Sequence, residues 1–331
     1  MKIDIHTHIM PKVMPNWTKK FGYGEFIHLE HRNCGACMMK SDKVFRVVEE
    51  NIFNAEKRIK ECDENAVTTQ VLSTIPVLFN YWAKAKDALE TSRFFNDHIA
   101  ETVAKKPKRF IGIGTVPLQN ADVAIKEMER CVNELKMPGL EIGTNINQKN
   151  LSEKEFFPFY EMAEKLGCAL FVHPWEMMGE KNMQQYWLPW LVGMPAETSR
   201  AICSMIFGSV FEKFPKLRVA FAHGGGSFPI TIARIEHGFN VRPDLCTVDN
   251  KINPRNYIGK FWTDSLVHDK KSLQFIIDLF DENKICLGSD YPFPLGEKHS
   301  GELIESMNFS KEIKEKLFYK NAMNWLGKVE T

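Results

Sequence analysis

Short apolar runs alternate with longer helix-forming stretches along the whole 331-residue chain. Eight runs have the length and composition of buried strands: residues 2–6, 67–73, 110–116, 139–142, 169–172, 217–222, 261–263 and 285–288. Stretches with helical spacing include residues 51–64, 121–135, 153–166, 196–211, 271–280 and 311–326. Eight strand–helix units predict an α/β fold, a closed (β/α)8 TIM barrel. An open doubly wound sheet is the alternative, but no dinucleotide-type glycine fingerprint follows an early strand.

The chain is longer than the barrel alone requires. A barrel of this kind uses ~250 residues, and the excess falls in two long connections, residues 9–66 and 174–216. Within the first connection, residues 17–46 are rich in glycine, histidine, aromatic residues and cysteine, and we expect a small insertion over the barrel mouth, between strands one and two. No linker or internal repeat marks a second unit, so residues 1–331 are predicted to form a single domain.

The charge balance excludes several classes of partner. Lys and Arg number 43 against 42 Asp and Glu, a net charge of +1, whereas a protein that binds nucleic acid usually carries a clear basic excess. No run reaches the ~18 apolar residues of a membrane helix, and residues 1–6 lack an apolar signal stretch. We therefore expect a cytoplasmic protein, with no membrane or nucleic-acid partner, whose eight scattered cysteines are reduced thiols.

Ligand-type side chains stand where four of the predicted strands end. His6 and His8 alternate along strand one and so point to the same side. His173 ends strand five, His223 ends strand six, and Asp290 follows strand eight, each with a turn-forming residue close behind. Because the C-terminal ends of barrel strands form one mouth, these five side chains are expected to converge there.

Imidazole nitrogens and a carboxylate oxygen are ligands that suit zinc and similar ions. We assign His6, His8, His173 and Asp290 to the metal, which would lower the pKa of a bound water toward neutrality. His223 then serves as the general base, and Asp290 is a second candidate proton carrier. A single histidine at a strand end is more often a hydrogen-bonded structural residue, but the joint pattern favours the metal site.

Three other side chains are candidates for substrate binding. Arg46 ends the insertion and has the geometry to hold a carboxylate in bidentate fashion, the alternative being a solvated surface arginine. Trp190 has the flat face needed to stack on a conjugated substrate, although core packing is the default for its apolar segment. Arg234 lies about two helical turns beyond the glycines that follow His223, which makes contact with its own metal awkward.

A second metal site is a weaker hypothesis. His28, His31, Cys34 and Cys37 are spaced three apart. Zinc sites normally draw their ligand pairs from distant segments, so a loop with incidental thiols is the favoured interpretation.

Nine segments of the chain carry a resemblance to a known family. They are residues 1–8, 21–24, 43–48, 81–84, 171–175, 186–198, 211–226, 242–246 and 290–297, and they extend over essentially the whole length. In them the chain resembles the metal-dependent decarboxylase branch of the amidohydrolase superfamily. Ser289 and the pair Cys34 and Cys37 depart from the family pattern without touching the chemistry.

The resemblance implies one Zn²⁺ per subunit, with the same four ligands and the same base as proposed above. It also implies that Arg46 and Arg234 hold the carboxylates of a small dicarboxylate substrate, and that Lys40 and Phe293 line the pocket. Arg234 would reach the site of the neighbouring subunit, so the active form would be a homodimer. The reaction implied is non-oxidative decarboxylation of a conjugated semialdehyde in the kynurenine route of tryptophan degradation.

Three alternatives stay open from the sequence. The chain could be a decarboxylase of hydroxybenzoate-like or other aromatic acids. It could also be a metal-dependent hydrolase or lactonase, since sister families use the same site. A metal-binding regulator without catalysis is the third.

Overall fold

Eight parallel strands form the centre of the computed structural model, which describes residues 1–32 and 35–327. Each strand overlaps one of the predicted runs. They are β1 (Ile3–His8), β2 (Thr69–Ser73), β3 (Phe110–Gly112), β4 (Gly139–Gly143), β5 (Ala169–His173), β6 (Val219–Phe221), β7 (Trp262–Asp264) and β8 (Ile285–Cys286).

The strands close into a barrel. Strands β1 to β3 pair in order, as do β4 to β8, all parallel and in chain sequence. An isolated bridge from Gly114 to Leu140 joins β3 to β4. At the other seam, the Ile5 amide donates to the Leu287 carbonyl at 2.9 Å, and Thr7 bridges to Tyr291. The predicted (β/α)8 barrel is therefore confirmed.

The helices lie outside the strands. In chain order they are α1 (Trp17–Phe21), α2 (Ala55–Glu64), α3 (Ala85–Lys105), α4 (Ala121–Asn133), α5 (Phe157–Leu166), α6 (Met194–Phe207), α7 (Val210–Lys213), α8 (Phe228–Val241), α9 (Pro243–Cys246), α10 (Lys270–Phe280), α11 (Glu302–Glu305), α12 (Lys311–Glu315) and α13 (Asn321–Leu326). The helix predicted over residues 196–211 is divided into α6 and α7, and the one over residues 311–326 contains a π-helical segment, Lys316–Lys320, between α12 and α13.

Strand alternation separates the two hydrophobic layers of the barrel. In β5, Ala169 and Phe171 belong to the core inside the barrel, whereas Leu170 and Val172 pack between the strands and the helices. The inner core ends at the bottom on Trp325 of the last helix, which is fully buried. Polar side chains occupy the other end of the barrel, where the strands have their C-terminal ends.

A β-bulge in β1 changes which side chains face inward. The register with β2 shifts between Asp4 and Thr7. Ile3, before the shift, and Ile5, within it, both belong to the inner core. His6, the other residue within the shift, also faces inward, with its ring centroid 5.0 Å from that of Phe171.

The long connection between β1 and β2 contains α1 and a three-stranded antiparallel sheet. Its strands are Ile27–Arg32, Gly35–Lys40 and Lys43–Val48. Met38 and Val48 of this sheet pack with Ile75 and Val77, which follow β2 at the barrel mouth. The last strand carries Phe45 and Arg46 toward the same mouth.

Two further observations bear on the predictions from composition. Across the described ranges, no helix combines the length and the apolar character that a membrane span needs. The seven described cysteines are free thiols, and five of them are buried, whereas Cys34 lies outside the described residues.

A substitution at Leu140 tests how much the hydrophobic layer between the strands and the helices contributes to stability. Its side chain is fully buried in β4. We expect Leu140→Ala to lower the free energy of unfolding by about 2–5 kcal/mol, because the substitution removes buried apolar contacts and leaves a cavity. Urea denaturation followed by circular dichroism measures the change. Val13→Ala, at a position 76% exposed, is the control and should change stability by less than about 0.5 kcal/mol.

Candidate active site

Four buried side chains converge at the C-terminal mouth of the barrel. His6 and His8 come from β1, His173 is the last residue of β5, and Asp290 follows β8. One ligand atom from each lies within 4.8 Å of the others. The structure thus brings together the four residues that the sequence assigned to a metal, on rigid strands that are far apart in the chain.

The three imidazoles are oriented by acceptors at their Nδ1 atoms. The Nδ1 atom of His6 lies 2.6 Å from Asp264 Oδ2, and that of His8 lies 2.8 Å from the Thr74 carbonyl oxygen. The Nδ1 atom of His173 lies 3.0 Å from the Pro174 carbonyl oxygen. Because each of these partners accepts a hydrogen bond, the network assigns a proton to the Nδ1 atom of each ring and makes Nε2 the atom available to a metal.

The free Nε2 atoms fit a divalent metal. Those of His6, His8 and His173 are buried and have no hydrogen-bond partner among the described residues. Asp290 Oδ1 lies 3.4 Å from the Nε2 of His6 and 3.1 Å from that of His8, without hydrogen-bond geometry. Buried polar atoms without partners are rare, and a metal ion would satisfy all of these at once.

The protonation states are consistent with this interpretation. Burial lowers the pKa of His8, and burial with the charge of His6 holds the pKa of His173 well below its usual value, so both rings are neutral. Burial also lowers the pKa of His6, but the charge of Asp290 and the Asp264 hydrogen bond outweigh it and raise that pKa to about 10. Without a metal, His6 therefore carries a second proton on Nε2. A metal ion has to displace that proton in order to bind.

The carboxylate of Asp290 stays ionised in its buried position. Burial raises the pKa of Asp290, but the charge of His6 and the neighbouring imidazoles outweigh that effect and hold it well below its ordinary value. An ionised carboxylate is the form that binds a metal.

His223 lies beside the cluster on a strained turn. Its backbone has a φ of 57°, and Gly224, Gly225 and Gly226 follow with positive φ as well. A Cβ on Gly226 would lie 2.4 Å from the Pro195 carbonyl oxygen, so this turn requires glycine there. His223 Nε2 lies 3.8 Å from Asp290 Oδ2, and the side chain is 16% exposed. The predicted base is therefore adjacent to the cluster and open to a substrate.

Two buried acidic residues near the cluster were absent from the sequence prediction. Asp264 ends β7 and bonds His6, a position with the same signal as the other strand ends, because an apolar run stops there at a carboxylate. Glu141 lies within β4, with Oε1 3.7 Å from His8 Nδ1, and burial raises its pKa well above the usual value. Glu141 lies inside an apolar run and not at its end, so the sequence gave no comparable indication that it is near the site.

An aromatic cavity opens from the cluster. It is lined by His173 and Asp290 together with Arg46, Trp175, Trp190, Phe293 and several aliphatic residues. The guanidinium carbon of Arg46 lies 4.6 Å from the Phe293 ring centroid and 5.7 Å from that of Trp190. No hydrogen bond or ion pair to another described residue engages this guanidinium. Arg46 thus presents a cation beside the cluster that no described carboxylate pairs with.

Not every predicted site residue reaches this cavity. Lys40 is half-exposed at the end of its strand, with Nζ 3.6 Å from Glu25 Oε2, and does not line the cavity. Arg234 is exposed on α8 and lines neither this cavity nor the adjoining recess beside His223.

The hypothetical second metal site is not assembled by the described residues. His31 Nε2 lies 2.7 Å from the Lys12 carbonyl oxygen, and His28 Nε2 lies 3.6 Å from Glu30 Oε1. Within residues 1–32 and 35–327, the cluster at the barrel mouth is the one group of His, Cys, Asp and Glu side chains whose ligand atoms lie close enough together to share a metal ion. Cys34, the fourth member of the hypothesis, lies outside those ranges.

Comparison with known proteins agrees with this architecture. The amidohydrolase family model matches residues 3–328. The chain is 57% identical to the 2-amino-3-carboxymuconate-6-semialdehyde decarboxylase of Dictyostelium discoideum, over 99% of this chain and 92% of that protein. It is 39% identical to the Caenorhabditis elegans protein of the same name, over 98% of this chain and 94% of the other.

A solved structure supports the fold. The crystal structure of 5-carboxyvanillate decarboxylase from Novosphingobium aromaticivorans, complexed with manganese and 4-hydroxy-3-methoxy-5-nitrobenzoic acid, has a TM-score of 0.84 at 19% identity. The match covers 98% of this chain and 96% of that one. The family match and the curated relatives together confirm the resemblance found in the sequence: the chain belongs to the amidohydrolase family, in its decarboxylase branch, and is a carboxy-lyase.

Proposed function

We propose that this protein is a cytoplasmic, zinc-dependent decarboxylase of 2-amino-3-carboxymuconate 6-semialdehyde, which it converts to 2-aminomuconate 6-semialdehyde. In the kynurenine route of tryptophan degradation this reaction would limit quinolinate formation. The observation that carries the proposal is the guanidinium of Arg46, which has no ion-pair partner within residues 1–32 and 35–327 and faces the same cavity as His173 and Asp290. The 57% identity to the Dictyostelium relative supports the choice of substrate.

Three imidazole nitrogens and one carboxylate form a donor set that suits Zn²⁺. His6, His8, His173 and Asp290 would hold the ion, which when bound supplies Lewis-acid polarisation of an oxygen atom at the site. Manganese, the metal of the Novosphingobium structure, is the competing identity and is distinguished by metal analysis.

The cavity suits a flat, anionic substrate. Aromatic rings of Trp175, Trp190 and Phe293 provide faces on which a conjugated chain can stack. Arg46 would accept a substrate carboxylate in a bidentate ion pair, with its guanidinium held between the rings of Phe293 and Trp190. A half-buried arginine without a partner gains more from such a pair than an exposed one does, because less water competes.

His223 and Asp290 would be the proton carriers of the reaction. His223 would take a proton from a water molecule whose oxygen adds to the conjugated chain, and would return that proton to the neighbouring carbon, which carries the departing carboxylate. The carbon–carbon bond to the carboxylate then breaks, and its electron pair re-forms the double bond. The added hydroxyl leaves as hydroxide, which takes up a proton from solvent, and carbon dioxide is released. The substrate thus loses CO₂ and gains one proton at carbon, with no net oxidation.

A homodimer would complete the site. Ile230, 74% exposed on α8, borders the recess beside His223, whereas Arg234 one turn later does not. Apolar side chains at Val241, Leu245 and Val248 are also exposed nearby. We propose that two copies pack through this surface and that each Arg234 enters the neighbouring site, where it binds the second substrate carboxylate.

The first prediction from the proposed function concerns catalysis. The wild-type chain should consume the semialdehyde with release of one CO₂ per molecule, and His223→Ala should retain the metal yet lose turnover by ~10²–10⁴-fold, because the general base is gone. The measurement follows substrate absorbance and CO₂ in parallel. A panel of lactones and hydroxybenzoates is run beside it, and turnover of that panel without turnover of the semialdehyde would contradict the proposal. An active His223→Ala enzyme would contradict the assigned base.

The second prediction concerns the metal. Purified wild-type chain should contain about one zinc ion per subunit, and His173→Gln should lose most of it because one of the four ligands is removed. Inductively coupled plasma mass spectrometry of the dialysed proteins measures both. His28→Gln is the matched control and should keep the wild-type metal content. A loss in that control would support the second site instead.

The third prediction concerns the shared site. Arg234→Ala and His223→Ala should each be inactive alone, but after subunit exchange their mixture should recover about a quarter of wild-type activity, because half of the dimers carry one complete site. Mixing Arg46→Ala with His223→Ala is the control and should recover nothing, since both residues serve their own chain. Failure of the first mixture to recover, with subunit exchange demonstrated, would overturn the cross-subunit role.

A further inference from the structure

One fully buried carboxylate contacts both halves of the site. Asp264, at the end of β7, accepts hydrogen bonds from four donors: His6 Nδ1, and the backbone amides of His223, Gly224 and Leu266. Their distances are 2.6, 2.9, 2.8 and 3.1 Å in that order. The residue lines neither of the two cavities next to the site, so it acts on the reaction through other residues.

Each carboxylate oxygen of Asp264 accepts two of the four hydrogen bonds. Oδ2 accepts from the His6 imidazole and from the His223 amide, whereas Oδ1 accepts from Gly224 and Leu266. One oxygen atom therefore joins the proposed metal ligand on β1 to the strained turn that carries the proposed base. A shift of His6 relative to that turn would break one of the two bonds.

Only an ionised carboxylate can satisfy this set of donors. It has about four lone-pair sites on two oxygens, whereas an asparagine amide replaces two of those sites with N–H donors. In either orientation, the amide nitrogen of an asparagine would face at least one backbone N–H that cannot change its role. If the nitrogen took the place of Oδ2, it would also drive the proton of His6 from Nδ1 to Nε2, the atom that faces the metal.

The close packing around Asp264 leaves a mismatched side chain at this position no room to move away from the backbone donors. A Cβ on Gly288 would lie 2.6 Å from the Asp264 Cβ and 2.9 Å from the His6 Cβ. The three residues are thus packed with no room for an added methyl group, and a mismatched side chain cannot turn away without disturbing His6.

We infer that Asp264 is a positioning residue that fixes the tautomer of His6 for the metal and, through the same oxygen, sets the place of His223. This inference rests on the proposed function in one respect, that His6 binds the metal. The four-donor geometry is independent of the substrate.

Metal rebinding tests the first half of the inference. Metal-free protein is titrated with Zn²⁺ in competition with a chromophoric chelator, and Asp264→Asn should bind ~10–100-fold more weakly than wild type. Asp4→Asn is the matched control, because Asp4 is equally buried and also accepts a bond from the His6 backbone amide, but does not touch its ring. That control should stay within about threefold of wild type, since the His6 tautomer is unchanged.

Hydrogen exchange tests the second half. The amides of residues 223 and 224 should exchange at least ~10-fold faster in metal-free Asp264→Asn than in metal-free wild type, because their acceptors are lost or misaligned. The melting temperature of each metal-free variant shows whether it is folded. A purely structural role would lower that temperature but leave the metal affinity of the folded protein unchanged.

Nitrogen NMR keeps the inference testable if Asp264→Asn fails to fold. In zinc-loaded wild-type protein labelled with ¹⁵N-histidine, the His6 proton should be on Nδ1 and the metal on Nε2, with the signal assigned by its loss in His6→Gln. Coordination through Nδ1 would overturn the inference, as would wild-type affinity in Asp264→Asn. If His6→Gln itself binds zinc as tightly as wild type, the metal site of the proposed function is wrong. If His6→Gln is weakened and Asp264→Asn is not, only the role of Asp264 is wrong.

Discussion

The orientation of three imidazole rings is the constraint on which the site depends. Each ring of His6, His8 and His173 donates a hydrogen bond from Nδ1 to an oxygen atom, so its Nε2 atom is the one that lies with the others beside Asp290. Two of the acceptors are backbone carbonyls, which strand geometry holds in place, and the third is a side chain. The rings are therefore oriented before any ion arrives, so that binding has to displace the proton of His6 but needs little movement of the side chains.

The barrel supplies this arrangement through its strand ends. Ligands separated by up to 284 positions, from His6 to Asp290, meet because β1 and β8 are neighbours at the seam of the closed sheet. The bulge in β1 lets Ile5 fill the inner core while His6 faces the site, so stability and chemistry use adjacent residues of one strand. The inserted sheet then places Arg46 over the mouth, where it adds a cation to a cavity that is otherwise mostly aromatic and aliphatic.

The strand order and the metal cluster could be predicted from the sequence because both follow from local patterns. An apolar run that stops at a histidine or aspartate marks a strand end, and closure of the barrel brings such ends together. The acceptors for His8 and His173 could not be predicted, since a backbone carbonyl has no signature in the sequence. Asp264 had the strand-end signal and was missed, and the exposed positions of Lys40 and Arg234 depend on side-chain packing that no periodicity encodes.

The central claim, that three imidazoles hold one metal through Nε2 atoms beside a carboxylate, is tested most directly by X-ray absorption at the metal edge of the reconstituted protein. The account predicts a first shell of nitrogen and oxygen only, with the outer-shell scattering of three imidazole rings. A sulfur ligand, or scattering from fewer than three imidazoles, would contradict it.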